Sequence, residues 1–169
     1  MSIEKYIVNI INREGGFVDH PDDKGGATKY GITLKTLADW RNTNITADDI
    51  KSLHVEEAYK IYKENYLVKS GIINIKDYKL QAIMLDTAIN SGVSQSVKFL
   101  QQALGIKDDG IIGSVTIQCA NAAILEPLRR KYIGLRIRFL GRLITKNPSQ
   151  AIFAAGWLNR CCDLLEEFA

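Results

Sequence analysis

The sequence predicts a mainly α fold, a helical bundle with a small β-hairpin near the N-terminus. Three observations carry this. Isoleucines and leucines recur at three- and four-residue intervals along most of the chain, and Leu80 to Asn90 is apolar nearly all round, as the central helix of a bundle must be. Glycine, proline and aspartate, by contrast, crowd into residues 15–33. With 169 residues, 46% hydrophobic and 24% charged, the chain has the length and composition of one globular domain. Eight-stranded α/β barrels and two-domain dehydrogenases are too large to fit.

Each element has its own local cause. Ile3, Ile7, Ile10 and Ile11 form one stripe over residues 2–14, and Gly15-Gly16 stops that helix. Glu14 falls at an angle between Ile7 and Ile10, so its carboxylate projects from the apolar face. Gly25-Gly26 is a tight-turn signal flanked by the short runs Phe17-Val18 and Tyr30-Gly31-Ile32, which predicts a hairpin or an ordered loop. Thr33 caps a helix carrying Leu34, Leu37 and Trp40, and Thr46 with Asp49 three residues on matches a capping box. From Val55 to Leu67 a stripe of Val55, Ala58, Tyr59, Tyr62 and Tyr66 suits either core packing with hydroxyls at the edge or stacking beneath a sugar. On the central helix, Asp86 and Asn90 sit four apart and need hydrogen-bonded neighbours. Ser94 caps the next helix, Gly105 ends it, and Asp108-Asp109-Gly110 turns the chain. Ser114 starts a helix running towards Pro127, and helices over about 127–146 and 149–167 finish the chain.

Charge and cysteine content exclude several classes. Twenty-two basic against nineteen acidic residues give +3, which permits an acidic polymer as partner without demanding nucleic acid. The excess is local: Arg129, Arg130, Lys131, Arg136, Arg138, Arg142, Lys146 and Arg160 follow Pro127 with no acid before Cys162. This is either a solvated basic face or a contact for an anionic polymer. Three cysteines, Cys119, Cys161 and Cys162, are an odd number that fits neither a disulfide framework nor tetrahedral zinc. No metal or cofactor is expected. Glu4 and Lys5 break the N-terminal apolar pattern, so the expectation is synthesis in the cytoplasm without a signal peptide. Arg136, Arg138 and Arg142 interrupt the most apolar late stretch, which predicts no membrane insertion.

The residues that carry chemistry lie at the start. Glu14 is followed by Asp23 and Thr28 within a polar, glycine-rich segment. Glycoside hydrolysis needs one carboxylic acid kept protonated to donate to the leaving oxygen, and a second polar centre to hold water or steady the cation. Burial against Ile7 and Ile10 and the helix's C-terminal carbonyls would both favour the protonated form of Glu14. Asp23 with the Thr28 hydroxyl would supply the second centre. The alternative reading is plain architecture, Glu-Gly-Gly as a helix stop and the aspartates as turn formers.

The motif Glu14-Gly15-Gly16-Phe17-Val18, then Pro21-Asp22-Asp23-x-Gly25-Gly26-x-Thr28-x-Tyr30-Gly31-Ile32-Thr33, resembles the signature of the glycoside hydrolase 108 muramidases. Leu85-Asp86-Thr87-Ala88-Ile89-Asn90-Ser91-Gly92, Leu100-Gln101-x-x-Leu104-Gly105, Asp109-Gly110-Ile111-Ile112-Gly113-x-x-Thr116 and Gly156-Trp157-Leu158-Asn159-Arg160 are similar to the peptidoglycan-binding region that accompanies them. The resemblance implies an α+β lysozyme-like fold, with a catalytic part at 1–78 and a peptidoglycan-binding-like helical part at 79–169 packed on it as one compact unit. It implies Glu14 as the acid; the order Glu14, Asp23, Thr28 also resembles the catalytic triad of phage lysozymes, which implies Asp23 and Thr28 as the rest of the catalytic set, and Tyr30, Tyr66 and Asn90 are the expected substrate contacts. The implied reaction is cleavage of the β-1,4 bond between N-acetylmuramic acid and N-acetylglucosamine in peptidoglycan glycan strands. The implied site of action is the periplasm or cell wall, reached through a holin or a secretion route, in host lysis or local wall remodelling. The chain departs from the pattern at His20, where the family has Asp before Pro, and at Tyr66-Leu67, where an aromatic pair is common. The expectations from other classes are a wall-binding module without catalysis and a nucleic-acid binder using the arginine-rich helices.

Overall fold

The computed structural model describes residues 2–18 and 26–169. The chain forms two compact units, one reaching Asn65 and the other running from Tyr66 to Ala169. Among the described residues the structure is helical apart from one short antiparallel sheet, in keeping with a mainly α, lysozyme-like fold.

The first unit begins with α1 (Ile3–Glu14), capped by the Ser2 hydroxyl and ended by Gly15 at φ 81°. Tyr6, Ile7, Ile10 and Ile11 are buried, so the stripe expected of this helix is the one that packs. Strands β1 (Thr28–Lys29) and β2 (Ile32–Thr33) pair Thr28 with Thr33 and Lys29 with Ile32. Thr33 then caps α2 (Leu34–Arg41) by accepting from the Thr36 amide, and Thr46 and Asp49 form a reciprocal capping box on α3 (Ala47–Lys51). Helix α4 (Val55–Tyr62) packs against α1. Arg41 ties α2 to α4 through a two-pronged bond to Glu57, at 2.9 and 2.7 Å, and this guanidinium holds the Glu57 carboxyl below its ordinary range.

The tyrosine helix does not run regularly to Leu67. It ends at Tyr62, and a π-helical stretch continues from Lys63 to Val68. Tyr62 is fully buried and Tyr66 half-buried.

The second unit is built round α5 (Tyr78–Ser91), in which every residue from Leu80 to Ala88 is buried. It packs against α6 (Val93–Leu104), α8 (Leu125–Lys146) and α9 (Ala154–Phe168). Gly92, at φ 85°, starts α6, so Ser94 lies one residue inside that helix and is not its cap. The helix expected from Ser114 towards Pro127 is α7 (Ser114–Ala122), a separate piece, and Pro127 sits in the first turn of α8, where a missing amide hydrogen costs nothing. A 3-10 stretch over Pro148–Phe153 leads into α9.

The basic stretch is the main departure from expectation. Two of its eight cations, Arg129 and Arg136, are buried, and acids at the N-cap and in the middle of the central helix hold them. Arg129 Nη1 donates to Asp77 Oδ1 at 3.0 Å. Arg136 Nη1 donates to Asp86 Oδ1 at 2.7 Å and to Thr87 Oγ1 at 3.2 Å, while Arg160 Nε, on α9, donates to Asp86 Oδ2 at 2.7 Å. A buried carboxylate shared by guanidiniums from two helices clamps three elements together. Thus part of what reads as a solvated face is internal wiring.

Close by, the Ser96 hydroxyl donates to the Met84 carbonyl at 2.7 Å and lies 2.8 Å from the Tyr132 hydroxyl. Phe99 meets Tyr132 edge-on, with ring centroids 5.9 Å apart. Burial pushes the Tyr132 phenol from its ordinary 10.0 up to about 12. The folded chain therefore keeps this proton at pH values where the unfolded chain has lost it. Stability is fully present below pH 10 and falls through the window from 10 to about 12, by up to about 1.4 kcal/mol per pH unit from this group. Urea unfolding across that range should show this slope, and Tyr132→Phe should remove it relative to the parent.

Candidate active site

The geometry around Glu14 is set by backbone events on both sides of it. Gly15 adopts a positive φ that L side chains avoid, so α1 stops with Glu14 as its last residue. The chain then runs back beside β1, with Val18 and Thr28 exchanging two backbone hydrogen bonds of 2.8 Å each. The Tyr30 amide donates to the Gly15 carbonyl at 3.1 Å, which pins the hairpin tip to the end of the helix. Tyr30 (φ 54°) and Gly31 (φ 73°) make the two-residue turn, the left-handed pair that matches the twist of a hairpin.

Gly31 is required for a second reason. A Cβ there would stand 2.6 Å from the Tyr62 hydroxyl and 3.3 Å from Cγ of Glu14. The buried Tyr62 hydroxyl donates to the Tyr30 carbonyl at 2.9 Å. The Glu14 side chain is therefore seated against a turn that α4 holds from the other side. Glu14 as a residue is half-buried, while Ile7, Ile10 and Ile11 along the same helix are fully buried. This arrangement presents a carboxyl at a fixed place with partial access to solvent, which is what a proton donor to an incoming substrate needs.

Gly31→Ala should cost at least ~2 kcal/mol, because the left-handed backbone penalty adds to the steric one. The double variant Gly31→Ala/Tyr62→Phe should lose less than the two single losses added, since removing the hydroxyl opens the space the methyl needs. Chemical denaturation of the four proteins checks this.

The other expected site residues distribute as follows. Thr28 and Tyr30 are half-buried members of the hairpin just described, in the same compact unit as Glu14, and Lys29 Nζ lies 5.3 Å from the centre of the Tyr30 ring. Asp23 and His20 lie outside the described residues. Tyr66 and Asn90 belong to the second unit. Burial raises the Tyr66 phenol above its ordinary pKa, and the Tyr66 carbonyl accepts from the Ser70 hydroxyl at 2.6 Å. Asn90 is exposed near the end of α5, and its amide nitrogen donates to the Asp86 carbonyl at 2.7 Å.

Sequence reasoning missed Gly31 and Tyr62 as the residues that seat Glu14. The signal was present in the Tyr30-Gly31 pair, a turn signature once the flanking segments are known to be strands. Among the described residues there is no group of three or more histidines, cysteines or acids placed to hold a metal ion, and no helix long and apolar enough to cross a membrane.

Comparison with known proteins places these features in context. A family model described as glycosyl hydrolase 108 matches residues 7–92, and one described as a predicted peptidoglycan domain matches residues 95–162. The fold is similar to the solved structure of Brucella abortus SagA, with a TM-score of 0.84 and 31% sequence identity. That similarity covers 97% of this chain and 91% of the other. A search of curated proteins finds no match.

Proposed function

Because the chain belongs to the glycosyl hydrolase 108 family and is a peptidoglycan hydrolase with a peptidoglycan-binding region, we propose that it is an N-acetylmuramidase in which Glu14 is the general acid. The bond cleaved is the β-1,4 link between N-acetylmuramic acid and N-acetylglucosamine. The observation that carries this reading is the seat of Glu14, half-buried at the end of α1 against the Tyr30-Gly31 turn and Tyr62.

In this mechanism Glu14 delivers its proton to the glycosidic oxygen as the bond to the anomeric carbon breaks. Asp23 and the Thr28 hydroxyl hold the attacking water on the opposite face of the sugar and steady the positive charge that develops. A threonine hydroxyl is apt for positioning water, which favours inversion of the anomeric centre; that outcome requires the two carboxyl groups about 6.5–9.5 Å apart. Tyr30, on the hairpin, is a sugar contact, and Tyr66 and Asn90 are the further sugar contacts of this reading. The enzyme reaches the wall through a holin or a secretion route.

Digestion of defined peptidoglycan followed by mass spectrometry of the products tests the assignment. N-acetylmuramic acid at the new reducing ends is the expected result. N-acetylglucosamine ends, or intact glycan with cut peptides, would overturn it. Sedimentation with purified sacculi separates the remaining class, since a binder without catalysis pellets and releases no reducing sugar.

A further inference from the structure

The helix pair that ends the second unit is polarised along its length. Arg136 on α8 and Arg160 on α9 meet at Asp86, and nearer the connection Phe139 and Leu143 share the wall of one hollow with Trp157. The two helices therefore run antiparallel, and the 3-10 stretch Pro148–Phe153 closes their tip. Glu126, in the first turn, is the only acid of α8, and Lys146, in the last, stands about 30 Å from it along the axis, several screening lengths away. The acids of α9, Asp163, Glu166 and Glu167, all follow Cys162, towards the other end. Asn90 and Ser91 reach the same hollow from α5, and residues 90–98 hold no acid.

Cations and apolar groups share that tip. Arg142 and Lys146 sit four apart in the last two turns of α8, both exposed, and among the described residues neither side chain is engaged in a hydrogen bond or ion pair. Helical spacing puts Phe139 and Leu143 in the adjoining row. Ile152 is 79% exposed and Phe153 48%, and the Phe153 ring packs on the half-buried Trp157 with centroids 5.7 Å apart. One exposed isoleucine is ordinary on a protein surface. An isoleucine and two packed aromatic rings beside unpaired cations, on a tip without acids, form a patch suited to a partner.

Charge decides between occupants. A second copy of the chain seated on the same patch would set Arg142 and Lys146 against their own counterparts. A soluble polyanion would meet the cations and leave Ile152 and Phe153 in water. A bilayer of anionic lipid answers both features, with phosphates at the level of the cations and an apolar layer directly beneath for the isoleucine and the aromatic rings. We propose that the tip of the α8–α9 pair docks on an anionic lipid bilayer, Ile152, Phe153 and Trp157 entering the headgroup layer while Arg142 and Lys146 meet lipid phosphates. The seat lies on the surface and spans nothing, since among the described residues no helix is long and apolar enough to cross a membrane. It would hold the protein at a membrane, a property separate from hydrolysis at Glu14.

Co-sedimentation of the full-length protein with vesicles tests it. Vesicles of equal parts phosphatidylglycerol and phosphatidylcholine should bind at least about tenfold more tightly than phosphatidylcholine alone, and added salt should weaken that binding. Ile152→Asp and Arg142→Glu should each lower it severalfold. Lys76→Glu, the same change of charge just before the N-cap of α5 and so at the opposite end of that helix from Asn90, should bind as the parent does. Trp40→Phe leaves Trp157 as the only tryptophan, so a blue shift of its emission on adding anionic vesicles reports entry of the tip itself. No sedimentation, equal affinity for the two kinds of vesicle, or an unshifted Trp157 emission would each overturn the proposal. Binding that Ile152→Asp leaves intact while Arg142→Glu abolishes it would make the patch a site for a soluble polyanion, and a dimer broken by Ile152→Asp without vesicle binding would make it a self-association face; either overturns the lipid assignment. Vesicle composition, salt and emission are read on proteins with no change at the tip, so the test stands even where a tip variant folds poorly. Failure here leaves the muramidase assignment standing, and a Glu14→Gln protein of undiminished hydrolytic rate removes that assignment without touching the vesicle result.

Discussion

Glu14→Gln is expected to slow wall hydrolysis about 10³-fold, within the range that positioned general acids contribute. Glutamine has the shape of glutamate and keeps a hydrogen-bonding amide at the end of α1, but has no proton to give to a leaving oxygen. The same substitution should raise stability slightly. Glu14 is the last residue of a twelve-residue helix, where the partly negative carbonyl end disfavours a carboxylate by a few tenths of a kcal/mol. A large loss of rate beside a small gain in melting temperature is the signature of a catalytic group, because a structural group loses both together. Turbidity clearance of purified sacculi and a thermal melt of the two proteins measure the pair. A variant that clears walls at a rate near the parent's would sink the assignment.

The second large effect is expected from Asp86→Ala, at about 3–5 kcal/mol, the usual cost of removing one partner from a buried ion pair. Asp86 is fully buried, and its loss strands Arg136, itself 2% exposed, with only the Thr87 hydroxyl at 3.2 Å. Arg160→Ala should cost much less. Arg160 is 19% exposed, and its removal leaves Asp86 still bonded to Arg136. Urea unfolding followed by circular dichroism ranks the two variants; equal losses would mean that Asp86 is not the hub of the clamp. The order matters because both arginines lie on the stretch that the sequence presents as a uniform basic face.

That contrast shows what was legible beforehand and what was not. Helix α1, the caps at Thr33 and Thr46 and the central position of α5 all follow from spacing and capping chemistry within a few residues, and the structure contains each of them. The spacing also puts a tight turn at Gly25-Gly26 and makes Tyr30-Gly31-Ile32 a flanking run, whereas the structure has its two-residue turn at Tyr30-Gly31. Glu14 was legible for the same reason, since its place on the isoleucine face is a local property of α1. Asp86 and Arg136 are fifty positions apart, and no periodicity couples residues at that range. The arginines therefore read as solvated until α5 and α8 are seen side by side. The π-helical stretch at Lys63–Val68 escaped for a different reason: residues four apart, such as Tyr62 and Tyr66, fall near one face in a regular helix and in a widened one alike, so their spacing does not tell the two apart.

Tyr30 carries one more consequence. A bulky L residue at φ 54° sits in a conformation that asparagine or glycine adopts more readily, so this turn has little preference to form by itself. It is held by two borrowed bonds, one from its amide to the Gly15 carbonyl and one from the Tyr62 hydroxyl to its own carbonyl. The hairpin is thus conditional on α1 and α4 being docked and opens only when they separate. Hydrogen exchange at the Thr28 and Tyr30 amides should follow the cooperative opening of that unit, with no independent fraying of a surface loop. The seat of Glu14 and the integrity of the surrounding helices are thus one event, so the side chain keeps its position until that unit opens as a whole.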